Sequence, residues 1–369
     1  MFNTKHSIIF LTVSIIGFSF LWYYYTPPKI RQAPTTFGTH FTDHMFVMEW
    51  NKDRGWHNQR IEPYHNFSFP PSSAHMHYGQ EIFEGMKAFR TKDNTCVIFR
   101  PYDHFERMNQ SAHIMSMPEI DPKTVTQWLK KLLIVDKSWI PGDLGTALYL
   151  RPTMIATDAH LKLKPSDTYL FFIIMSPVGS YYASGSKPLS LLVEDTLTRA
   201  TIGVGQAKTG GNYAASMRAH TAALNAGCDQ VLWLDSRQHQ NIEEAGSMNI
   251  FFVYNDGSVV TPALSGSILP GMTRRSIITL GSSWNMSVAE RILPIETVLH
   301  DIERGKITES FGTGTAAVVT PIGKMIYKNT SYTIGDGTMG PVTKQFFDGL
   351  TSIQYGNVPD SFSWLETVA

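Results

Sequence analysis

At 369 residues the chain is long enough for two domains of ordinary size plus extensions. Its 31 Lys+Arg balance 31 Asp+Glu, so no global field points to nucleic acid or to acidic partners. The two cysteines, Cys96 and Cys228, lie far apart without a CxxC, which excludes a zinc finger or disulfide scaffold; no metal site is expected.

The first feature in chain order is an uncharged run, Ser7–Tyr25, 19 residues long. At about 1.5 Å per helical residue it matches a bilayer core roughly 30 Å thick. Trp22 and Tyr23 to Tyr25 suit an interface belt, and Pro27-Pro28 stops a helix. The run lacks a small-residue cleavage site and the Arg-rich look of a transit peptide. A single membrane anchor and an unusual targeting segment both fit, and the compartment (membrane-anchored, cytoplasm or mitochondrion) stays open. Residues 26–40 read as a tether, so that 1–40 is set apart from a folded body.

In that body, strands are expected at Met45–Trp50, Lys87–Phe89 and Thr95–Phe99, and helices over 102–117 and 123–135. Ala147–Arg151 and the almost fully apolar Tyr169–Met175 are further strands. Val178–Leu189, rich in Gly, Ser and Tyr, reads as a linker. It divides a small α/β domain (41–179) from a larger one (190–369), with 180–189 between them. The second half has strands at Ser190–Val193 and Gln230–Leu234 around a helix over Ala214–Ala226. Asn249–Tyr254 turns at Asn255-Asp256-Gly257 into Val259–Thr261 as a hairpin. Helices follow at Thr273–Leu280, Ile295–Glu303 and Val342–Leu350. The fold class is α/β (α+β) in two halves, and periodicity alone does not fix the topology.

The most informative stretch is Gly203-Val-Gly-Gln-Ala-Lys208-Thr-Gly-Gly-Asn-Tyr213. Four glycines around one lysine let a flat ligand approach the backbone closely. A P-loop is excluded, because the glycines it needs one and six residues before the lysine are Ala207 and Ile202. Leu269-Pro-Gly-Met272-Thr273-Arg274 is a tight turn entering a helix, a ready anion site. Ser310-Phe-Gly-Thr-Gly-Thr315-Ala316 reads as a second loop with oxyanion donors. Arg100 ends the strand CVIFR, and Glu244 precedes the apolar strand NIFFVY. Each alone is an ordinary turn, cap, surface ion pair or solvated carboxylate. Together they supply an amine, two oxyanion loops, a cation, a phenol and a carboxylate, the parts a pyridoxal-phosphate site needs.

The segments FTDHMFVMEW, IFEGMKAF, IFRP, ALYLRP, CDQVLWLD, EEAGSMNIFFV, LPGMTR, FGTGTA and IQYG stand in order over about residues 41–356. In this combination the chain resembles the branched-chain amino acid aminotransferases of the fold-type-IV pyridoxal-phosphate class. The resemblance implies a two-domain fold with the cofactor at the domain interface. It implies reversible amino transfer between Leu, Ile or Val and 2-oxoglutarate, giving branched 2-oxo acids and glutamate, in a homodimer.

Carried over by position, Lys208 resembles the lysine that holds the cofactor and moves the proton. Tyr213 resembles the tyrosine on ring O3′, and Glu244 the carboxylate on the ring nitrogen. Arg100, the N–H groups of Met272 and Thr273, and Thr315 resemble the phosphate cup. Tyr149 and the Thr315–Ala316 turn correspond to the α-carboxylate site, and Arg151 to the arginine for the second carboxylate of glutamate. Tyr78, Phe83, Tyr181, Ser247 and Met248 correspond to the apolar side-chain pocket.

Two departures stand out. The CxxC of vertebrate members is replaced by Ala317-Val-Val-Thr320, so thiol regulation is not carried over. Gln206, Ala207, Thr209 and Ala214 differ from the family's forms without removing a functional group. Rival readings are a D-amino acid aminotransferase or aminodeoxychorismate lyase of the same class, and a catalytically silent membrane-tethered homologue.

Overall fold

The computed structural model describes residues 36–179 and 187–368. The Ser7–Tyr25 expectation and Tyr181 therefore lie outside the described residues. Among the described residues, no helix is long and apolar enough to cross a membrane.

The first half builds β1 (His44–Asn51), β2 (Gly55–Pro63), β3 (Glu81–Phe83), β4 (Met86–Arg90), β5 (Cys96–Phe99), β6 (Ala147–Ala156) and β7 (Thr168–Val178). The second adds β8 (Leu189–Glu194), β9 (Gln230–Leu234), β10 (Ile242–Ala245), β11 (Met248–Tyr254) and β12 (Val259–Pro262). It continues with β13 (Val288–Arg291), β14 (Ile307–Gly314), β15 (Val318–Tyr327), β16 (Thr330–Thr333) and β17 (Leu365–Val368).

The first sheet is antiparallel, in the order β17-β5-β4-β6-β7-β1-β2, with β3 on β6. Its apolar strand β7 is central, paired with β6 on one side and β1 on the other, which explains why it carries so few polar residues. Helices Pro101–Ile114 and Pro122–Val135 cover one face; each begins with proline, whose missing N–H costs nothing at that position. Asp121 caps the second helix by accepting from the Thr124 amide at 2.9 Å.

The second sheet runs β10-β9-β8-β15-β14-β11-β12-β13, with β16 on β15. Its pairing path closes on itself where β10 also pairs with β11. Closure wraps one apolar core, including Leu191, Leu232, Ile250, Phe252 and Met325. Another core joins the halves: Phe89, Phe99 and Tyr149 pack with Phe251, Phe311 and Phe346. β7 ends at Val178 and β8 begins at Leu189, on either side of the expected linker. The last strand, β17, returns to the first sheet, so residues 190–369 do not keep to one sheet.

Two local readings are corrected. The Ser310–Ala316 segment is not a loop throughout; β14 runs to Gly314, and Thr315 to Ala317 form the turn into β15. Gly312 packs closely on Met248: a Cβ there would stand 2.8 Å from Met248 Cε, so the methionine would have to shift to admit a larger residue. The helix expected from Ala214 starts at Gly210, which places Tyr213 in its first turn, directly after Lys208.

Candidate functional site

A cavity of about 360 Å³ opens between the two sheets. The first half contributes Phe83, Gly85, Arg107, Tyr149 and Arg151. From the second come Lys208, Tyr213, Glu244, Ser247, Met248 and Asn249, with Met272, Thr273 and the segment 313–317.

Lys208 enters on a backbone fixed at both ends. Its amide donates to Ser111 Oγ at 2.9 Å, and its carbonyl accepts from the Phe83 amide at 3.0 Å. The side chain crosses the cavity, with Nζ 2.7 Å from Tyr213 Oη and 4.9 Å from the Phe83 ring centre. The tyrosine comes from the helix Gly210–Asn225 and the phenylalanine from β3. The amine thus sits in the cavity between a phenol and an aromatic ring.

Glu244, on β10, is buried. Its Oε1 accepts from Asn249 Nδ2 and the Leu269 amide, both at 3.2 Å, and Oε2 lies 2.5 Å from Arg199 Nε. Burial pushes this carboxyl up from its ordinary range, and Arg199 pulls in the opposite direction without cancelling the effect. Arg199 also donates to the carbonyls of Gly205 and Ser267, tying the carboxylate to the loop that delivers Lys208. Its role was not foreseen from the sequence.

Beside Arg151, the arginine that lines the cavity is Arg107; Arg100 does not line it. Arg100 occupies the corner between β5 and the helix Pro101–Ile114 at φ 53°. Its guanidinium is turned to Asp103 (2.7 Å) and Ser276 Oγ (2.8 Å) and lies over Trp364. The expectation for Arg100 is therefore replaced: it braces the helix Met272–Ser283 from outside.

Arg107 sits two turns further along, with Nε 2.7 Å and Nη2 2.8 Å from the two oxygens of Glu84. His104 Nδ1 is 2.8 Å from the same carboxylate. All three side chains are buried. Burial pushes the Glu84 carboxyl up, but Arg107 and His104 outweigh it and hold the group well below the usual carboxylate range. Nη1 donates to the Pro270 carbonyl at 3.0 Å. A guanidinium has five N–H donors, so two are left over for a ligand. The signal that could have found Arg107 is the stripe His104, Arg107 and Ser111, polar groups at helical spacing on a buried face.

Beside Arg107 begins the helix Met272–Ser283, whose N-cap is Gly271 and whose first amides no side chain caps. Such an end attracts anions. The Thr315–Ala316 turn closes that wall. Tyr149 and Arg151 stand on β6, with Arg151 Nη2 donating to Tyr149 Oη at 3.1 Å. Gly85 is required here, since a Cβ at that position would fall 1.9 Å from Tyr149 Oη. Tyr78 is not among the lining residues; it is 41 % exposed, and its hydroxyl donates to the Leu161 carbonyl.

The donor set fits pyridoxal phosphate: amine, phenol and buried carboxylate at one end, guanidinium, free helix amides and a threonine turn at the other. Residues 81–325 match the family model described as amino-transferase class IV. A Bacillus subtilis protein named branched-chain-amino-acid transaminase 1 is 49% identical over 342 residues, spanning 92% of this chain and 96% of its own. The crystal structure of the Escherichia coli branched-chain amino acid aminotransferase aligns at a TM-score of 0.75 and 25% identity, covering 89% of this chain and 100% of that one. A third branched-chain amino acid aminotransferase, from the source abbreviated T.th. and complexed with N-(5'-phosphopyridoxyl)-L-glutamate, aligns at 0.70 and 26% identity, covering 87% of this chain and 98% of its own. On the matched fold, the converging donor set and this extent of shared sequence, the chain belongs to the class IV aminotransferases and, within them, to the branched-chain amino acid aminotransferase family.

Proposed function

We propose that the chain transfers the amino group of leucine, isoleucine and valine reversibly to 2-oxoglutarate, using pyridoxal 5'-phosphate held by Lys208, as a homodimer. The observation that carries this reading is the convergence of the Lys208 amine, the buried Glu244 carboxylate and an oxyanion cup on one cavity. Bound there, pyridoxal phosphate supplies an electron sink for the bonds at the substrate Cα.

Glu244, seated on Arg199, holds a proton at the ring nitrogen. Tyr213 donates to or accepts from ring O3′ and orients the Lys208 amine. The two spare N–H groups of Arg107, the Met272 and Thr273 amides and Thr315 hold the phosphate; two parallel bonds from one guanidinium suit an oxyanion. Lys208 moves the proton at Cα, and its aromatic surroundings keep water from competing for it.

Tyr149 and the Thr315–Ala316 turn hold the α-carboxylate. Phe83, Ser247 and Met248 form the floor against which a branched side chain is buried. Each methylene contributes about 0.8 kcal/mol there, roughly fourfold in affinity, so discrimination among neighbouring aliphatic substrates is modest. Arg151, already bonded to Tyr149 Oη, accepts the second carboxylate of glutamate. The dimer reading draws support from a cluster of exposed apolar residues, Met76, Tyr78, Leu161 and Leu163, gathered by the Tyr78–Leu161 hydrogen bond.

A visible spectrum of the purified protein tests the reaction. Leucine is expected to bleach the bound cofactor's absorbance, and 2-oxoglutarate to restore it. A yellow protein whose spectrum ignores leucine would overturn the proposal.

A further inference from the structure

Behind the turn between β14 and β15 lies a second cavity, of about 410 Å³. Its wall is mainly apolar and includes Phe89, Val319, Met339 and Phe347. Ala316 and Ala317 line both this cavity and the catalytic one. The volume falls in the range of small-molecule sites.

Among the polar groups that break the apolar wall, two are buried and short of partners. Lys87, on β4, is 7 % exposed, and its Nζ donates to the Ala316 carbonyl at 3.1 Å. An ammonium has three donors, and no other acceptor for Lys87 is present among the described residues. Burial, with no acidic neighbour to oppose it, draws the amine down to about 8. A desolvated cation without a counter-charge is costly, and a bound anion relieves that cost. Gln354 is 6 % exposed, lines the same cavity, and has no hydrogen-bond partner at Oε1. The turn itself is strained: Val318 is held at φ 60°, where β-branched residues rarely sit.

We infer that this cavity is a second small-molecule site, for a short aliphatic carboxylate that also carries a hydroxyl or amine donor. The carboxylate pairs with Lys87 Nζ, the donor meets Gln354 Oε1, and the aliphatic chain lies on the apolar wall. A carboxylate there takes the two free donors of Lys87 and draws the ammonium toward itself, away from the Ala316 carbonyl that it also holds. Occupancy thereby loosens the turn that forms one wall of the catalytic cavity, and slows turnover.

Calorimetric titration of the cofactor-loaded protein with 2-hydroxy-4-methylpentanoate tests this, since that acid has no amino or keto group to exchange. One binding equivalent per chain is expected to weaken at least tenfold in Lys87→Met. Thr351, half-buried on the helix Pro341–Gln354, also lines the cavity, and Thr351→Phe is expected to fill it with the same effect. At saturating leucine and 2-oxoglutarate, the acid should lower kcat about fivefold in the native protein and not in Thr351→Phe. Competition at the catalytic cavity alone leaves kcat at saturation unchanged. Binding that neither substitution alters, or inhibition that vanishes at saturating substrate, overturns the inference. Absence of leucine turnover bears on the reaction proposed above and leaves the titration readable.

Discussion

Lys208 and Arg107 divide the chemistry at the residue scale. With Nζ 2.7 Å from Tyr213 Oη, Lys208 is the one amine among the lining residues that can reach both the ring and the substrate Cα. Lys208→Ala is expected to abolish transamination and the visible absorbance of the loaded protein; measurable turnover in that variant would remove the lysine from the reaction. The two arginines are told apart by cofactor affinity. Arg107→Lys keeps a charge but loses the planar fork, and the cofactor Kd is expected to rise roughly 10- to 100-fold. Arg100→Lys disturbs a brace outside the cavity and should change Kd less than about threefold. Fluorescence titration of both apoproteins decides between them, and equal losses would return Arg100 to the cup.

At the scale of elements, the corner where β3 passes into β4 sets the position of groups on both β6 and the helix Pro101–Ile114. Gly85 there leaves room for the Tyr149 hydroxyl arriving from β6. Gly85→Ala is expected to displace that hydroxyl, raising KM for leucine and glutamate about tenfold or more, with cofactor absorbance retained. Unchanged KM values would free Tyr149 from the α-carboxylate role. Glu84, next to it, pins Arg107 and His104 on the helix Pro101–Ile114.

Because its folded carboxyl is held below the usual range, the unfolded chain binds the proton more readily. The stabilisation is therefore complete above the unfolded value of about 4.3 and fades as pH falls below it. Glu84→Gln breaks a buried ion pair, a loss of about 3–5 kcal/mol at pH 7. The gap in Tm between native and variant should narrow as the pH drops below about 4; a gap independent of pH would remove the ion pair as its cause.

For the whole molecule, the two sheets meet along a shared core, and the catalytic cavity lies at that meeting. The apolar cluster of Met76, Tyr78, Leu161 and Leu163 has no cover within the described chain. Sedimentation equilibrium is expected to give twice the chain mass of 41.4 kDa, and paired Leu161→Glu and Leu163→Glu substitutions should shift it toward one chain mass. A native protein that sediments at a single chain mass would rule out the dimer.

Much of this was readable in the linear chain where function and local pattern coincide. The apolar run of β7 could only be a buried strand, and its place between β6 and β1 is the consequence. Lys208, Tyr213 and Glu244 stand in motifs whose residue types suit the cofactor, and all three line the cavity. Other contacts have a faint local signature, as in the buried polar stripe around Arg107, or none at all. Which arginine reaches the cavity depends on Glu84, 23 residues away, and Arg199 meets Glu244 only because β10 closes the second sheet. Side-chain direction at such positions is set by long-range pairing, to which hydrophobic periodicity and motif spacing are blind.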